Sequence, residues 1–204
     1  MSSLSPLLQR ISVGAVILAS ALHAPPAPAD EATGEIDGNV AAAVAKFRAN
    51  TVVYVKNAGL GTSSAVAKMD QRGLVFAPRV LPIQKGTRVD FLNSDPVGHN
   101  VFSPDGDKYD LGTWPKDETR SHTFNTSGVF RQLCRVHDDM IAFIVVVDTK
   151  YFALSDKSGA FKIGGLPPGK YTLATWNEKL GAKDVDVDVA AGKPSTVTIS
   201  LEKR

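Results

Sequence analysis

Gly128-Val129-Phe130-Arg131-Gln132-Leu133-Cys134-Arg135-Val136-His137-Asp138-Asp139-Met140-Ile141-Ala142-Phe143-Ile144-Val145-Val146-Val147 reads as strand, loop, strand. The first six residues deliver Cys134, the only cysteine of the chain, to a loop where His137 and Met140 follow at C-x2-H-x2-M spacing. The last seven are apolar and mostly β-branched, too short to span a membrane and suited to a buried strand. A thiolate, an imidazole and a thioether this close form a soft site. One further imidazole would complete a trigonal His2Cys set with a weak axial Met, which suits copper.

Working outward, His99 is the available imidazole. It lies in Gly98-His99-Asn100-Val101-Phe102-Ser103, after the strand-like Arg88-Val89-Asp90-Phe91-Leu92 and the turn-forming Asn93-Ser94-Asp95-Pro96. Phe76-x-Pro78, Gly86, Val89-x-Phe91-x-Asn93, His99-Asn100-Val101 and the Cys134/His137/Met140 loop together resemble the plastocyanin-like blue-copper domain, or cupredoxin, with the short ligand spacing of amicyanin. The wider pattern, residues 145–153 and 159–176, is similar to the methylamine utilisation protein-like cupredoxins of bacteria. The resemblance implies a Greek-key β-sandwich and one type 1 copper ion, held by His99, Cys134, His137 and Met140. It further implies that Cys134 binds as thiolate, that His99 and His137 complete the plane, and that Met140 tunes the potential from the axial side. Gly98 would sit close to the metal on the opposite side, Asn100 would tie down the Cys134 loop, and the edge of His137 would reach the surface. Fold and metal follow from the resemblance; a pathway does not.

The cysteine count agrees with a metal. Arg10 followed by the apolar residues 11–22 and by Ala27-Pro28-Ala29 reads as a signal peptide cleaved before Asp30, so residues 1–29 are expected to be removed and the protein to be periplasmic. An uncleaved anchor is the alternative, disfavoured because the apolar stretch falls short of the ~20 residues a span needs. A lone thiol in an oxidising compartment has no internal disulfide partner and is exposed to oxidation, a liability that metal ligation removes. A buried inert cysteine is the bland alternative. The formal net charge of +2 falls to +1 when Arg10 leaves with the first 29 residues, so neither nucleic acid nor anionic membrane is an expected partner. No membrane span is expected in the mature protein.

Turn signals recur about every ten residues and long amphipathic helical patterns are nearly absent, so the chain is expected to be all-β. Residues 65–148 carry the cupredoxin pattern. Beyond them, residues 149–204 read as a small β-sandwich: Asp156-Lys157-Ser158-Gly159 as a hairpin-type turn, Ala160-Phe161-Lys162-Ile163 and residues 171–176 as strands, and Asp184-Val185-Asp186-Val187-Asp188-Val189 as a strand with valines on one face and aspartates on the other. Residues 196–201 offer a last strand. This part resembles the small carboxypeptidase-regulatory-type sandwich, with its G-x-F-x-I and L-P-P-G-x-Y hairpin at residues 159–171. About 55 residues have little core of their own, so strands within residues 30–64 are expected to complete it, leaving the cupredoxin as an insertion. Residues 41–48 suggest one or two helical turns, and residues 59–64, rich in Gly and Ser, a flexible link. Alternation places Asp184, Asp186 and Asp188 on a solvated strand face, without the glycine turn and bidentate glutamate of a calcium loop. His122 reads as an exposed strand residue and His23 as part of the signal.

A periplasmic electron carrier, or an electron-transfer module of a larger assembly, is the leading expectation. Copper storage or delivery, or a cell-envelope binding module with a structural cupredoxin, is the alternative. An enzyme is not expected: no nucleophile triad, phosphate loop or paired-carboxylate spacing stands out, and four protein ligands would leave no open position. The partner is a redox protein of unknown identity, a cytochrome or a periplasmic dehydrogenase being the expected classes. Asp139 stands where family members often place an aromatic residue just before the axial Met, and Asp138 beside it makes the loop acidic. They argue against an apolar docking patch and for a partner with positive charge near its redox centre.

Overall fold

The computed structural model describes residues 32–204. The expected signal peptide and His23 lie outside the described residues. The described chain is all β apart from one turn of 3-10 helix. In chain order the strands are β1 (Gly34–Ala42), β2 (Val52–Val55), β3 (Val66–Gln71), β4 (Phe76–Ala77), β5 (Val80–Gln84), β6 (Arg88–Asn93), β7 (His99–Ser103) and β8 (Tyr109–Trp114). They continue as β9 (Thr119–Thr123), β10 (Gly128–Leu133), β11 (Ile141–Val147), β12 (Phe152–Leu154), β13 (Ala160–Leu166), β14 (Gly169–Trp176), β15 (Val185–Val189) and β16 (Pro194–Leu201). The helical expectation for residues 41–48 shrinks to Ala45–Phe47, because β1 runs on to Ala42, pairing Val40, Ala41 and Ala42 with β16.

Four sheets form two sandwiches. In the first, the order β5-β11-β10-β7-β8 faces the order β4-β3-β6-β9. Its core holds Met69, Phe91, Val101, Trp114, Phe124, Phe130 and Ile144, together with Cys134 and Met140. In the second, β13-β1-β16 faces β12-β2-β14-β15 across Ile36, Val40, Val55, Phe161, Leu166, Leu173 and Ile199. The chain therefore leaves the sheets of the second sandwich after β2 and re-enters them at β12. The Asp156 turn closes as a loop of side-chain and backbone bonds: Asp156 Oδ1 accepts from the Ser158 and Ala160 amides. Gly159 there has φ +95°, and a Cβ would lie 2.3 Å from the Val40 carbonyl oxygen, so a side chain is excluded twice over.

β11 explains why its sequence is apolar throughout. Ala142, Ile144 and Val146 point into the first core, while Phe143, Val145 and Val147 point the other way into a third cluster with Val52 and Val80. Tyr54, Phe152, Leu154 and Trp176 of the second sandwich pack against that cluster. A strand buried on both faces has no polar side to show. The link at residues 59–64, expected to be flexible, is instead held by three backbone hydrogen bonds: Gly61 N to Asp148 O, Ser63 N to Lys85 O and Lys150 N to Gly59 O. On β15 the alternation is as expected: Asp186 accepts from Thr172 Oγ1 at 2.8 Å, and Asp184, just before the strand, pairs with Lys56 at 2.7 Å.

Candidate metal centre

The antiparallel pair β10 and β11 holds the ends of the loop with Cys134, His137 and Met140; β7 starts at His99. Ligand atoms of His99, Cys134 and His137 lie within 4.8 Å of one another. The two imidazoles present Nδ1 to Nδ1 at 3.2 Å. His99 is 0% exposed and Cys134 5%, whereas His137 is half-buried. Met140, 1% exposed, belongs to the same core cluster as Cys134, and its amide donates to the His137 carbonyl at 3.1 Å, closing the loop as a turn.

His99 and Cys134 are each oriented by partners. Asp95 Oδ2 lies 2.8 Å from His99 Nε2, and with a carboxylate as acceptor Nε2 carries the proton and Nδ1 keeps its lone pair toward His137. Asp95 in turn accepts from the Gly73 amide at 2.6 Å and the Leu74 amide at 2.9 Å. Burial pushes its carboxyl up, but those two amides and His99 more than offset this and hold it below the usual carboxylate range. At the sulfur, the Asn100 and Val136 amides donate to Sγ at 3.5 and 3.4 Å, bringing the positive ends of two peptide dipoles to it.

Asn100 does tie the cysteine loop down: its Oδ1 accepts from the Arg135 amide at 3.3 Å, and its Nδ2 donates to Asp110 Oδ1 at 2.7 Å and to the Gly112 carbonyl at 2.9 Å. The same Asp110 accepts from Arg135 Nε at 2.8 Å, and the Arg135 guanidinium sits 4.2 Å from the centroid of the Phe102 ring. Arg135, to which the sequence assigns no role, thus closes a ring of contacts around the loop. Its hydrogen bond is the main reason the Asp110 carboxyl is held low.

Two imidazoles and a sulfur brought together at one loop fit a soft or borderline metal ion, and copper suits the set. Other expectations need correction. His122 is half-buried and stacks on Tyr109 at 3.9 Å between centroids, because β9 folds its face onto the aromatic group that includes Phe124. The surface near the loop is not purely acidic either. Asp138 and Asp139 are exposed, but so are Val136 (51%) in the same loop and Val97 just before His99. Leu74 and Val75, on the turn that holds Asp95, are exposed too. A strand-end loop must give its inward positions to the donors, which leaves Val136 pointing out.

No family model matches the chain, and no curated protein sequence matches it. Similar solved structures exist. A methionine-to-alanine mutant of amicyanin in its Cu(I) form is 17% identical, with 47% of this chain and 98% of that one covered at a TM-score of 0.39. A purple cupredoxin from Nitrosopumilus maritimus is 22% identical, covering 40% and 99% at 0.37. The copper-containing nitrite reductase of Thermus scotoductus SA-01 is 23% identical, covering 46% of this chain and 25% of that one at 0.39. The last is an enzyme, and with it the expectation that this chain is not one does not stand. That expectation rested on the lack of enzyme motifs and on a site closed by four protein ligands, and neither speaks to a reaction elsewhere in an assembly.

Proposed function

We propose that the chain is a periplasmic type 1 copper protein that passes single electrons, either as a free carrier or as the electron-transfer module of a larger assembly. The observation that carries the reading is the convergence of the His99 and His137 imidazoles and Cys134 Sγ within 4.8 Å of one another, with Met140 packed in the same core as Cys134. A copper ion there would supply one-electron redox chemistry. Cys134 offers the anionic donor, with two amides directed at it. Asp95 holds the His99 ring and its tautomer, and the Asn100, Asp110 and Arg135 ring holds the loop, so the donor positions are set before a metal arrives. Rigid donors keep ligand rearrangement out of an electron-transfer step. The half-buried His137 is the donor through which an electron would enter or leave. Residues 65–148 form the copper unit of this reading, and residues 32–64 with 149–204 the second sandwich. The partner is a redox protein that meets Val97 and Val136 with apolar surface and Asp138 and Asp139 with positive charge.

The test is copper titration of the metal-free protein. One equivalent of Cu(II) is expected to give intense visible absorption from thiolate-to-copper charge transfer, and Cys134→Ser to remove the colour while the far-ultraviolet β signature stays. A copper-loaded wild type without colour overturns the type 1 assignment. Fast, reversible self-exchange separates a carrier from a delivery protein, which must release its metal.

A further inference from the structure

Besides the apolar contact on β11, one ion pair links the second sandwich to the strand that leaves the metal loop. Arg79, between β4 and β5, donates from Nη1 to the Ile141 carbonyl at 2.6 Å. Its own carbonyl accepts from the Phe143 amide at 2.9 Å. The backbone just after Met140 is thus fixed twice on Arg79. The guanidinium is in turn gripped from the other sandwich: Nη2 donates to Glu178 Oε1 at 2.9 Å and Nε to Glu178 Oε2 at 3.2 Å, a two-point fork that sets the plane of the group. Beneath it the Phe143 ring lies 5.4 Å from the guanidinium carbon, and Trp176 packs on Phe143 at 5.1 Å between centroids.

Glu178 is itself rigidly placed. It follows the buried Asn177, whose Nδ2 donates to Thr51 Oγ1 at 2.8 Å and to the Phe47 carbonyl at 3.1 Å, and whose Oδ1 accepts from the Lys179 and Leu180 amides at 3.0 and 3.1 Å. The turn carrying Glu178 is therefore anchored on Thr51, just before β2, and on the 3-10 turn. Burial would raise the Glu178 carboxyl, yet bonds from Arg79 and Lys179 hold it low, as an ionised fork partner requires.

We propose that Glu178 is a positioning residue for Met140: through Arg79 it fixes the Ile141 carbonyl, and with it the place where Met140 enters the metal loop. The consequence for metal chemistry rests on the copper reading above; the positioning itself does not. The second sandwich is then part of what tunes the site, and not merely an attached module.

The experiment uses the full mature chain and compares wild type, Glu178→Gln and a control, Phe152→Leu, which loosens the same contact between sandwiches without touching Arg79. In the metal-free protein, hydrogen exchange of the Met140 and Phe143 amides is expected to quicken about tenfold in Glu178→Gln, the effect of weakening one charge-assisted hydrogen bond. The control should leave those amides unchanged relative to the amides of β7. Loaded with Cu(II), Glu178→Gln should still bind one equivalent but shift the charge-transfer maximum and the reduction potential, while Phe152→Leu shifts neither. Unchanged exchange at Met140 in Glu178→Gln, or equal quickening in Phe152→Leu, overturns the proposal. A wild type that takes up Cu(II) without colour overturns the copper reading instead, and the metal-free exchange still decides the role of Glu178.

Discussion

At the scale of single residues, Asp95 fixes the orientation of His99, and in the sequence it is only one polar residue in a turn. Its buried carboxylate joins the Gly73 and Leu74 amides to His99. Removing it strands the buried His99 Nε2, at a cost of about 1–3 kcal/mol, while the Gly73 and Leu74 amides, on exposed residues, can turn to water. Asp95→Ala is therefore expected to destabilise the metal-free protein by about 1–3 kcal/mol in urea unfolding, and Asp95→Asn by less, since one amide oxygen still accepts. Equal stability of wild type and Asp95→Ala would show that the turn finds other acceptors. Arg135 is a similar case. Its position beside Cys134 is plain in the chain, but its bond to Asp110 and its place over Phe102 depend on strands 25 or more residues away. By contrast His99, Cys134, His137 and Met140 stood out in the chain as candidate ligands, because the short loop spacing comes together with His99 after a strand and a turn.

At the scale of elements, β11 was legible as a buried strand but its two faces were not, since seven apolar residues carry no alternation to read. Packing assigns Ile144 to the metal sandwich and Val145 to the contact with the second one. Ile144→Ala is expected to cost about 2–5 kcal/mol, a transfer loss plus a cavity in a closed core, whereas Val66→Ala on an exposed position should stay within ~0.5 kcal/mol. Chemical denaturation of the two variants checks the ordering. Where polar and apolar residues do alternate, as on β15, the sequence told both the element and its faces: Val189 is buried, and Asp186 and Asp188 are exposed.

At the scale of the whole molecule, the shared cluster of Val52, Val80, Phe143, Val145 and Val147 joins the sandwiches. Burying each of its larger side chains is worth about 1.5–3 kcal/mol, a large share of the stability of a domain this size. One cooperative unfolding transition is therefore expected for residues 32–204, seen alike by tryptophan fluorescence and far-ultraviolet circular dichroism. Ending the chain at residue 148 would strip β1 and β2 of β12, β13, β14 and β16 and expose the outer face of β11. Such a truncation is expected to bind hydrophobic dye or aggregate. A monomeric fragment that unfolds cooperatively would show instead that the first sandwich needs no cover.

The sequence by itself singled out His99, Cys134, His137 and Met140 as candidate ligands, and determined the strand–loop–strand that carries three of them and the all-β class, because these depend on residue type and on spacings of a few residues. Tertiary structure alone decided the rest. That β1 lies between β13 and β16, that Asp95 and not a backbone carbonyl holds His99, and that Glu178 reaches Arg79 across 99 residues of chain are all long-range pairings. Local pattern has no term for such pairings: they are chosen by which faces must be buried together, and that is settled only when the whole core closes.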